Sequence, residues 1–245
     1  MQITALCRHP VKSHGREALE RVMLTEGQSM PFDRLWAIAH DDAKVDGGAW
    51  AACQNFSRGA KSPALMAITC TLDEAIETIT LRHPEQPDLT VQPDTTPDAL
   101  IAWVSALVDD ARAQPAKVFR LDDRGFTDTP FASVSMCNLA SHAAVEALAQ
   151  SPLQPERWRG NIWFDGTEAW QEFDWLGREI CIGTVRLRVQ ERITRCLATT
   201  VNTDTGLRDV DTLKALNSLD HQDFGIYASV IQTGVIALGD QLELV

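Results

Sequence analysis

Apolar and polar residues alternate along several short segments in the first half of the chain, and turn-forming residues separate these segments. Such alternation places every second side chain on the same face of an extended backbone, as in β-strands with one buried face. The pattern predicts strands at residues 1–7, 21–25, 35–40, 64–72, 78–82, 89–92 and 116–121. The proline-rich residues 84–97 are expected to form a surface excursion.

Helical spacing, in which apolar residues recur at intervals of three and four, is found in only a few places. The clearest example predicts a helix at about 97–112, with Thr96 as its N-cap and Pro97 as its first residue. A looser pattern predicts a second helix at about 138–150. Residues 210–217 are expected to form a short third helix.

The last third of the chain returns to the pattern of short strands. They are predicted at 161–164, 179–182, 185–194, 197–201, 226–233 and 241–245, with a hairpin turn at Gly239 and Asp240. Many short strands with few helices between them favour a barrel or a sandwich over a parallel sheet with crossover helices. The chain is therefore predicted to be mainly β with a few helices.

The charge of the chain argues against polyanionic partners. Its 245 residues include 22 Lys and Arg but 34 Asp and Glu, so the formal net charge is −12. A field of this sign repels nucleic acids and anionic membranes, and we expect no nucleic acid partner. An anionic ligand would need a local cluster of Lys and Arg that acts against the global charge.

Nothing in the sequence points to secretion or to a membrane span. The N-terminus lacks a basic flank followed by an apolar core, and no apolar run approaches the roughly 18 residues that cross a bilayer. Because a chain of this length can bury a full core without disulfides, its six cysteines predict reduced, mostly buried thiols in a cytoplasmic protein. The six histidines lack the paired spacing of a zinc site.

The motifs of common nucleotide-binding and hydrolytic enzymes are absent, but three small cationic groups stand out. Lys12 and Ser13 follow the first strand, Arg34 lies at a strand entrance, and Arg157 and Arg159 flank one tryptophan. Lys and Arg in such places bind oxyanions. From spacing alone, each could equally be an exposed loop residue or the partner of a neighbouring carboxylate.

One cysteine directly follows an arginine, at Arg195 and Cys196. A flanking guanidinium favours the thiolate, which is the form that attacks electrophiles or binds metals. Taken by itself, the pair leaves open the alternative of a buried and inert thiol.

These residues belong to an ordered set of short motifs. The motifs are Pro10-Val11-Lys12-Ser13, Asp33-Arg34 before Trp36, Arg159-x-Asn161-Ile162, Arg195-Cys196-x-x-Thr199-Thr200-Val201 and Phe224-Gly225-x-Tyr227. In this order they resemble the MOSC family of molybdenum cofactor proteins, and more closely its two-part branch with the bacterial YcbX-type proteins and the mitochondrial amidoxime-reducing component. The resemblance implies an N-terminal β-barrel-like domain at about 1–120 and a MOSC β-barrel domain at about 121–245.

The resemblance also implies a molybdenum cofactor, in which a pyranopterin holds the metal. Cys196 matches the position of the molybdenum ligand and is therefore the implied catalytic residue, since a soft sulfur ligand suits this metal. The other residues implied at the cofactor, of which Tyr227 and Ser135 are the weaker matches, are Lys12, Ser13, Arg34, Arg159, Asn161, Thr194, Arg195, Tyr227 and Ser135.

For activity, the resemblance implies an oxidoreductase that reduces N-hydroxylated compounds, such as amidoximes and hydroxylamine-type bases. Reduction of an N–OH group to an amine and water takes two electrons, which a separate reductase or an iron–sulfur or haem carrier would supply. Two alternatives stay open. Cys196 could carry a persulfide and transfer sulfur in the metabolism of the cofactor, or the chain could be a non-catalytic module that binds the cofactor.

The chain departs from the family pattern at several points. Phe32 stands where a glycine often precedes the Asp-Arg pair, and Gly160 stands where a proline is usual. Residues 51–63 are longer than the usual segment at this place, which affects the expected substrate side more than the cofactor site. No cysteine cluster of an iron–sulfur domain follows the last predicted strand.

Overall fold

The protein is built mainly from β-strands, as a computed structural model that describes all residues from Met1 to Val245 shows. Three helices are present, which confirms the predicted fold class: α1 (Pro97–Ser105), α2 (Leu139–Ala149) and α3 (Thr212–Asn217). No helix is both long and apolar enough to cross a bilayer. The strands are β1 (Gln2–Arg8), β2 (Glu17–Leu19), β3 (Arg21–Leu24), β4 (Trp36–His40), β5 (Thr69–Asp73), β6 (Thr78–His83), β7 (Gln86–Val91), β8 (Pro115–Arg120), β9 (Val134–Asn138), β10 (Ile162–Asp165), β11 (Glu179–Ile182), β12 (Val185–Thr194), β13 (Asp223–Gln232), β14 (Gly234–Ala237) and β15 (Leu242–Leu244).

The largest sheet joins strands from both ends of the chain. Its order is β15-β11-β12-β13-β9-β10-β1-β2, and all neighbours are antiparallel except β9 and β10. A separate ribbon pairs β3 with β14. Alternate side chains of these strands, such as Leu6, Met136 and Ile226, fill one buried apolar core. Strand β1 pairs with β10 and β3 pairs with β14, while β2 joins the large sheet through β1. Strands of the first half therefore lie in sheets of the second half, and the predicted domain boundary near residue 120 stays a prediction.

A second group of elements comes from residues of the first half. Strand β4 pairs with β8, and β5, β6 and β7 form a three-stranded antiparallel sheet. Helix α1 contributes the fully buried Leu100 and Val104 to the apolar core that these strands share with Trp36 and Leu81. The hydrophobic burial of this cluster holds β4 in place, and the residues just before β4 carry one wall of the site described below.

Helix α1 is shorter than predicted. It ends at Ser105 rather than near residue 112, because Leu107 and Val108 donate their backbone N–H groups to carbonyls three residues back, as in a 3₁₀ turn. Both side chains are nevertheless buried, so the apolar spacing continues beyond the helix. Thr96 does not cap the helix, since its hydroxyl donates to the Gln92 carbonyl at 3.0 Å.

Several predicted strands need correction. Residues 63–67 and 197–200 form 3₁₀ turns instead of extended backbone, and β7 lies within the proline-rich stretch expected to be a surface excursion. Gly239 and Asp240 do form a turn, but no hairpin results, since β14 pairs with β3 and β15 with β11. The sequence pattern does not predict strands β2, β9 and β14. All five residues of β9 are buried, so this strand lacks the alternation that reveals a half-buried one.

A glycine in β13 permits the close approach of β9. Gly225 has φ +75°, and a Cβ atom there would lie 2.7 Å from the carbonyl oxygen of Met136. We therefore expect Gly225→Ala to combine the strain of a left-handed backbone, about 1–2 kcal/mol, with an overpacking cost of about 1–3 kcal/mol. Urea unfolding monitored by tryptophan fluorescence measures the loss.

Gly183→Ala is the matched control, since Gly183 has φ +57° but a Cβ atom added there would meet nothing within 4 Å. It should cost only the backbone strain, about 1–2 kcal/mol. Equal losses of unfolding free energy in the two variants would show that the contact with β9 does not constrain position 225.

Candidate functional site

A cavity of about 300 Å³, here called the central cavity, is lined by residues from both halves of the chain. Nine of the ten predicted site residues lie on its wall, and the exception is Asn161. Those nine are Lys12, Ser13, Arg34, Ser135, Arg159, Thr194, Arg195, Cys196 and Tyr227.

Positive charge is concentrated in the central cavity. Its wall carries six Lys and Arg side chains but one carboxylate, that of Asp128. The whole chain has a net charge of −12, so this cavity opposes the sign of the protein that surrounds it. A cavity of this kind raises the local concentration of small anions while the exterior still repels large ones.

Backbone hydrogen bonds hold the loop after β1 against the segment before β4. The Arg34 N–H donates to the His9 carbonyl at 2.7 Å, Lys12 N–H donates to Trp36 at 2.7 Å, and Trp36 N–H donates to Pro10 at 3.1 Å. This ladder brings Lys12 and Arg34 to the same wall although they lie far apart in the sequence. The first two cationic groups of the sequence are therefore one structural unit.

Three residues of the cavity wall have left-handed backbone conformations. Ser13, Arg34 and Arg159 have φ values of 65°, 54° and 50°, and they are three of the eight non-glycine residues with positive φ. Such conformations are uncommon for residues with a Cβ and persist where the surroundings enforce them, often at functional sites. Here they fix the direction in which the three side chains leave the backbone.

A buried carboxylate anchors Arg34. Asp33 accepts hydrogen bonds from the His9 N–H at 2.7 Å and from His9 Nδ1 at 3.1 Å, and it forms an ion pair with Arg34. Burial alone raises the pKa of Asp33, but the Arg34 charge and the His9 hydrogen bonds hold it well below its usual range. Burial and the Arg159 charge lower the pKa of His9 to about 3, so its ring is neutral and Nδ1 carries the donated proton.

Arg159 lies beside Arg34 with part of its guanidinium unused. Burial and the charge of Arg34 together lower the pKa of Arg159 to about 9. Its Nη1 donates to the Gly15 carbonyl at 3.3 Å, but Nη2 is buried without a partner, and so is Nε of Arg34. Two guanidinium groups that repel each other, each with an unpartnered N–H donor, form a site for an anion, because an oxyanion accepts from both and offsets their charge.

Lys12 is already engaged within the protein. Its ammonium donates to the Phe126 carbonyl at 2.7 Å and to Asp128 Oδ1 at 2.5 Å. Since an ammonium has three N–H donors, one remains for a ligand. Lys12 therefore contributes charge and a single hydrogen bond, and Asp128 partly compensates that charge.

Cys196 is the exposed thiol of the chain. Cys70 and Cys137 are buried and three other cysteines are half-buried, so the predicted mostly buried thiols do not include Cys196. Burial raises the pKa of Cys7 to about 11 and of Cys70 and Cys137 to about 12, which keeps these thiols protonated at neutral pH. Cys196 begins the turn at 197–200, and the Thr199 hydroxyl donates to its carbonyl at 3.0 Å.

The side chain of Arg195 is directed to carbonyl groups rather than to the neighbouring thiol. Nε donates to Phe224 at 2.8 Å and Nη1 donates to Trp158 at 2.7 Å, and none of its hydrogen bonds reaches Cys196. The guanidinium also lies over the Trp158 and Phe224 rings, which stack on each other with centroids 3.9 Å apart. Arg195 thus stabilises the wall that carries Cys196.

Asn161 lies behind the cavity wall and joins three strands. Its Oδ1 accepts from the Ser135 N–H at 3.0 Å and from the Ser135 hydroxyl at 2.7 Å, and its Nδ2 donates to the Cys7 carbonyl at 3.2 Å. The residue is 1% exposed. It supports Ser135 on the wall, so its connection to a ligand is indirect.

The two remaining predicted residues, Thr194 and Tyr227, also line the cavity. The Thr194 hydroxyl donates to Asp223 Oδ1 at 2.7 Å and is exposed. Burial, reinforced by the Asp128 carboxylate, raises the pKa of Tyr227, so this phenol keeps its proton. No group of three or more His, Cys, Asp or Glu side chains forms a metal cluster in the chain.

Sequence reasoning missed three charged or thiol-bearing residues of the wall. Cys53 and Arg58 come from residues 51–63, and Asp128 comes from the segment between β8 and β9. All three lie in irregular segments whose position depends on tertiary contacts. The one signal that pointed to this region was the unusual length of 51–63.

Comparisons with known proteins find two family matches along the chain. The MOSC N-terminal beta barrel domain matches residues 1–127, and the MOSC domain matches residues 123–243. Two solved structures resemble the chain distantly. YUAD protein from Bacillus subtilis has 12% identity and a TM-score of 0.46 over 100% of this chain and 96% of its own, and YiiM from Geobacillus stearothermophilus has 23% identity and a TM-score of 0.37 over 46% and 53%.

Among curated proteins, the chain is similar to mitochondrial amidoxime reducing components. Component 2 from Homo sapiens is 32% identical over 114 residues, and component 1 from Mus musculus is 30% identical over 146 residues. These matches cover 41% and 54% of this chain, and 33% and 42% of the respective relatives, so the chain spans less than half of their length. Since the two family matches together cover nearly all residues, the chain belongs to the MOSC family.

Proposed function

We propose that the protein is a molybdenum-cofactor-dependent reductase of N-hydroxylated compounds. The observation that carries the proposal is the presence, in one cavity, of the exposed Cys196 thiol and the unpartnered guanidinium N–H groups of Arg34 and Arg159. Family membership and the names of the curated relatives support the same reading. A metal ligand and an anion site in one cavity are what a phosphate-bearing metal cofactor requires.

The donors present fit this cofactor. A phosphate would accept hydrogen bonds from the orphaned Nε of Arg34 and Nη2 of Arg159, and its charge would offset the burial and the repulsion that lower the pKa of Arg159. Lys12 and Ser13, on the adjoining loop, would complete the hold on the pyranopterin, and Cys196 would ligate the metal. When bound, the cofactor would supply the two-electron chemistry that removes the oxygen of an N–OH group.

The residues of the chain would then bind the cofactor, orient it and shield it. The left-handed backbones of Ser13, Arg34 and Arg159 direct their side chains into the cavity before any ligand arrives, so little ordering is needed on binding. Tyr227 would serve as a hydrogen-bond donor rather than as an acid, because its raised pKa holds its proton. Water reaches the exposed Cys196 side of the cavity and would deliver the protons that reduction consumes.

We further propose that a separate protein donates the electrons. Cys196 lies at the exposed side of the cavity, which leaves this side open to a docking partner. A cytoplasmic location stays a prediction, and the curated relatives are named as mitochondrial.

Replacing the proposed metal ligand should abolish activity. We expect Cys196→Ala to reduce turnover of benzamidoxime to the background, because the metal would lose the thiolate proposed to hold it. The control is Cys181→Ala, which removes a half-buried thiol on β11, outside the cavity, and should retain activity. Benzamidine formation with dithionite-reduced methyl viologen as the electron donor, together with molybdenum per chain by elemental analysis, measures both.

Retained turnover in Cys196→Ala would contradict the ligand assignment. Intact-mass measurement of the unmodified chain adds a second test. An additional sulfur atom on Cys196, without stoichiometric molybdenum, would favour the sulfur-transfer alternative instead.

Loss of the unpartnered guanidinium should weaken retention of the cofactor. Removing a charged hydrogen bond costs about 1.5–3 kcal/mol, so Arg159→Gln should bind the cofactor roughly ten- to a hundredfold more weakly. The fluorescence of the oxidised pterin released from purified protein measures this, independently of turnover. Arg178→Gln, which removes an exposed arginine before β11, is the matched control. Equal pterin content in the two variants would argue against a phosphate at Arg159.

A further inference from the structure

A second and smaller cavity, here called the side cavity, adjoins the central cavity and has no role in the function proposed so far. Its volume is about 200 Å³. It lies between the end of β4, the segment 54–62 and the loop 106–114 that follows α1. Arg58 lines both cavities.

The side cavity is cationic and contains no carboxylate. Arg58, Lys61 and Arg112 line it, and none of these three lies within 4.0 Å of an acidic side chain. The chain has 34 acidic residues, and arginines elsewhere do use them, such as Arg120, which pairs with three carboxylates. Arg58 has one hydrogen bond, to Cys53 Sγ at 3.2 Å, and sulfur is a weak acceptor.

Two acidic residues that lie near these cations in the sequence, Asp41 and Asp109, bond to backbone N–H groups instead. Asp41 directly follows β4, and its Oδ1 accepts from the Gln114 N–H at 3.0 Å. Asp109 precedes Arg112 in the loop after α1, and its Oδ1 accepts from the Ala111 N–H at 2.8 Å. These carboxylates stabilise turns, so the three cations keep their charge for a ligand.

The wall of the side cavity also contains a buried hydroxyl without a hydrogen-bond partner. Ser57 is 7% exposed, and its hydroxyl is buried without a hydrogen-bond partner. A buried polar group without a partner costs free energy, and a ligand that bonds to it would recover that cost.

We propose that the side cavity binds a small oxyanion, that is, a carboxylate, phosphate or sulfate group. Arg58, Lys61 and Arg112 would supply the charge, and the Ser57 hydroxyl would donate a hydrogen bond. Because Arg58 also lines the central cavity, the oxyanion is suited to be the tail of a substrate whose N–OH group reaches Cys196. This choice of substrate class, N-hydroxylated compounds with an anionic group, rests on the proposed function.

Equilibrium dialysis with labelled orthophosphate tests the site without any turnover. The full chain is compared with Lys61→Gln/Arg112→Gln, whose two side chains line the side cavity but not the central one. We expect the double variant to lose one class of bound phosphate, or to bind it roughly tenfold or more weakly, as the loss of charged hydrogen bonds implies. Arg21→Gln/Lys214→Gln removes the same charge from positions outside both cavities and should bind phosphate as the unmodified chain does.

Identical isotherms for Lys61→Gln/Arg112→Gln and the unmodified chain would overturn the proposed site. A lowered isotherm in the charge control as well would overturn it too, since the effect would then come from net charge alone.

A pair of substrates separates the two possible sources of the oxyanion. If the substrate carries it, Lys61→Gln/Arg112→Gln should raise the Michaelis constant for para-carboxybenzamidoxime roughly tenfold or more and leave kcat and the kinetics of neutral benzamidoxime unchanged. Lost phosphate binding with an unchanged Michaelis constant for both compounds would assign the site to a free oxyanion. If neither compound is reduced, the proposed reductase function fails, while the dialysis result still decides whether the anion site exists.

Discussion

Two guanidinium groups are held close together in one wall with too few acceptors, and much of the surrounding structure serves to make this possible. Burial and the charge of Arg34 together lower the pKa of Arg159 to about 9. Asp33 compensates one of the two charges, and His9 holds Asp33 in place through its backbone and ring. The unmet demand for an anion is therefore built into the folded chain, because the protein bears its cost before a ligand binds.

Both cavities have more cationic than acidic side chains in their walls, but they differ in the other features of those walls. In each, cations gather without an equal number of carboxylates, in a protein whose net charge is −12. The central cavity adds left-handed backbones and an exposed thiol, as a tightly bound cofactor would need. The side cavity has its cations on irregular loops, which suit a ligand that arrives and leaves. Arg58 is the residue that lines both cavities.

Sequence patterns reveal those parts of the fold in which local and tertiary forces agree. The pattern predicts strand β12 with its observed bounds, since one face is buried and the other is in contact with water. The stretch at 197–201 has similar residues but forms a tight turn, in which two threonine hydroxyls donate to backbone carbonyls. Motifs locate nine of the ten site residues on one wall, yet they miss Arg58 and Asp128, because only the folding of distant loops brings these two there.

The pairing of the first strand with β10 sets a condition on how the chain can be synthesised. Strand β1 is synthesised well before its partner β10, which ends at Asp165, and β3 is synthesised well before β14 at residues 234–237. Contacts of such long sequence separation are slow to form and leave strand edges unpaired in the meantime. Arg159, on the turn before β10, reaches Arg34 only after this closure. A nascent chain therefore cannot bring Arg159 to Arg34 early, and an anion held by both would have to bind after the large sheet is complete.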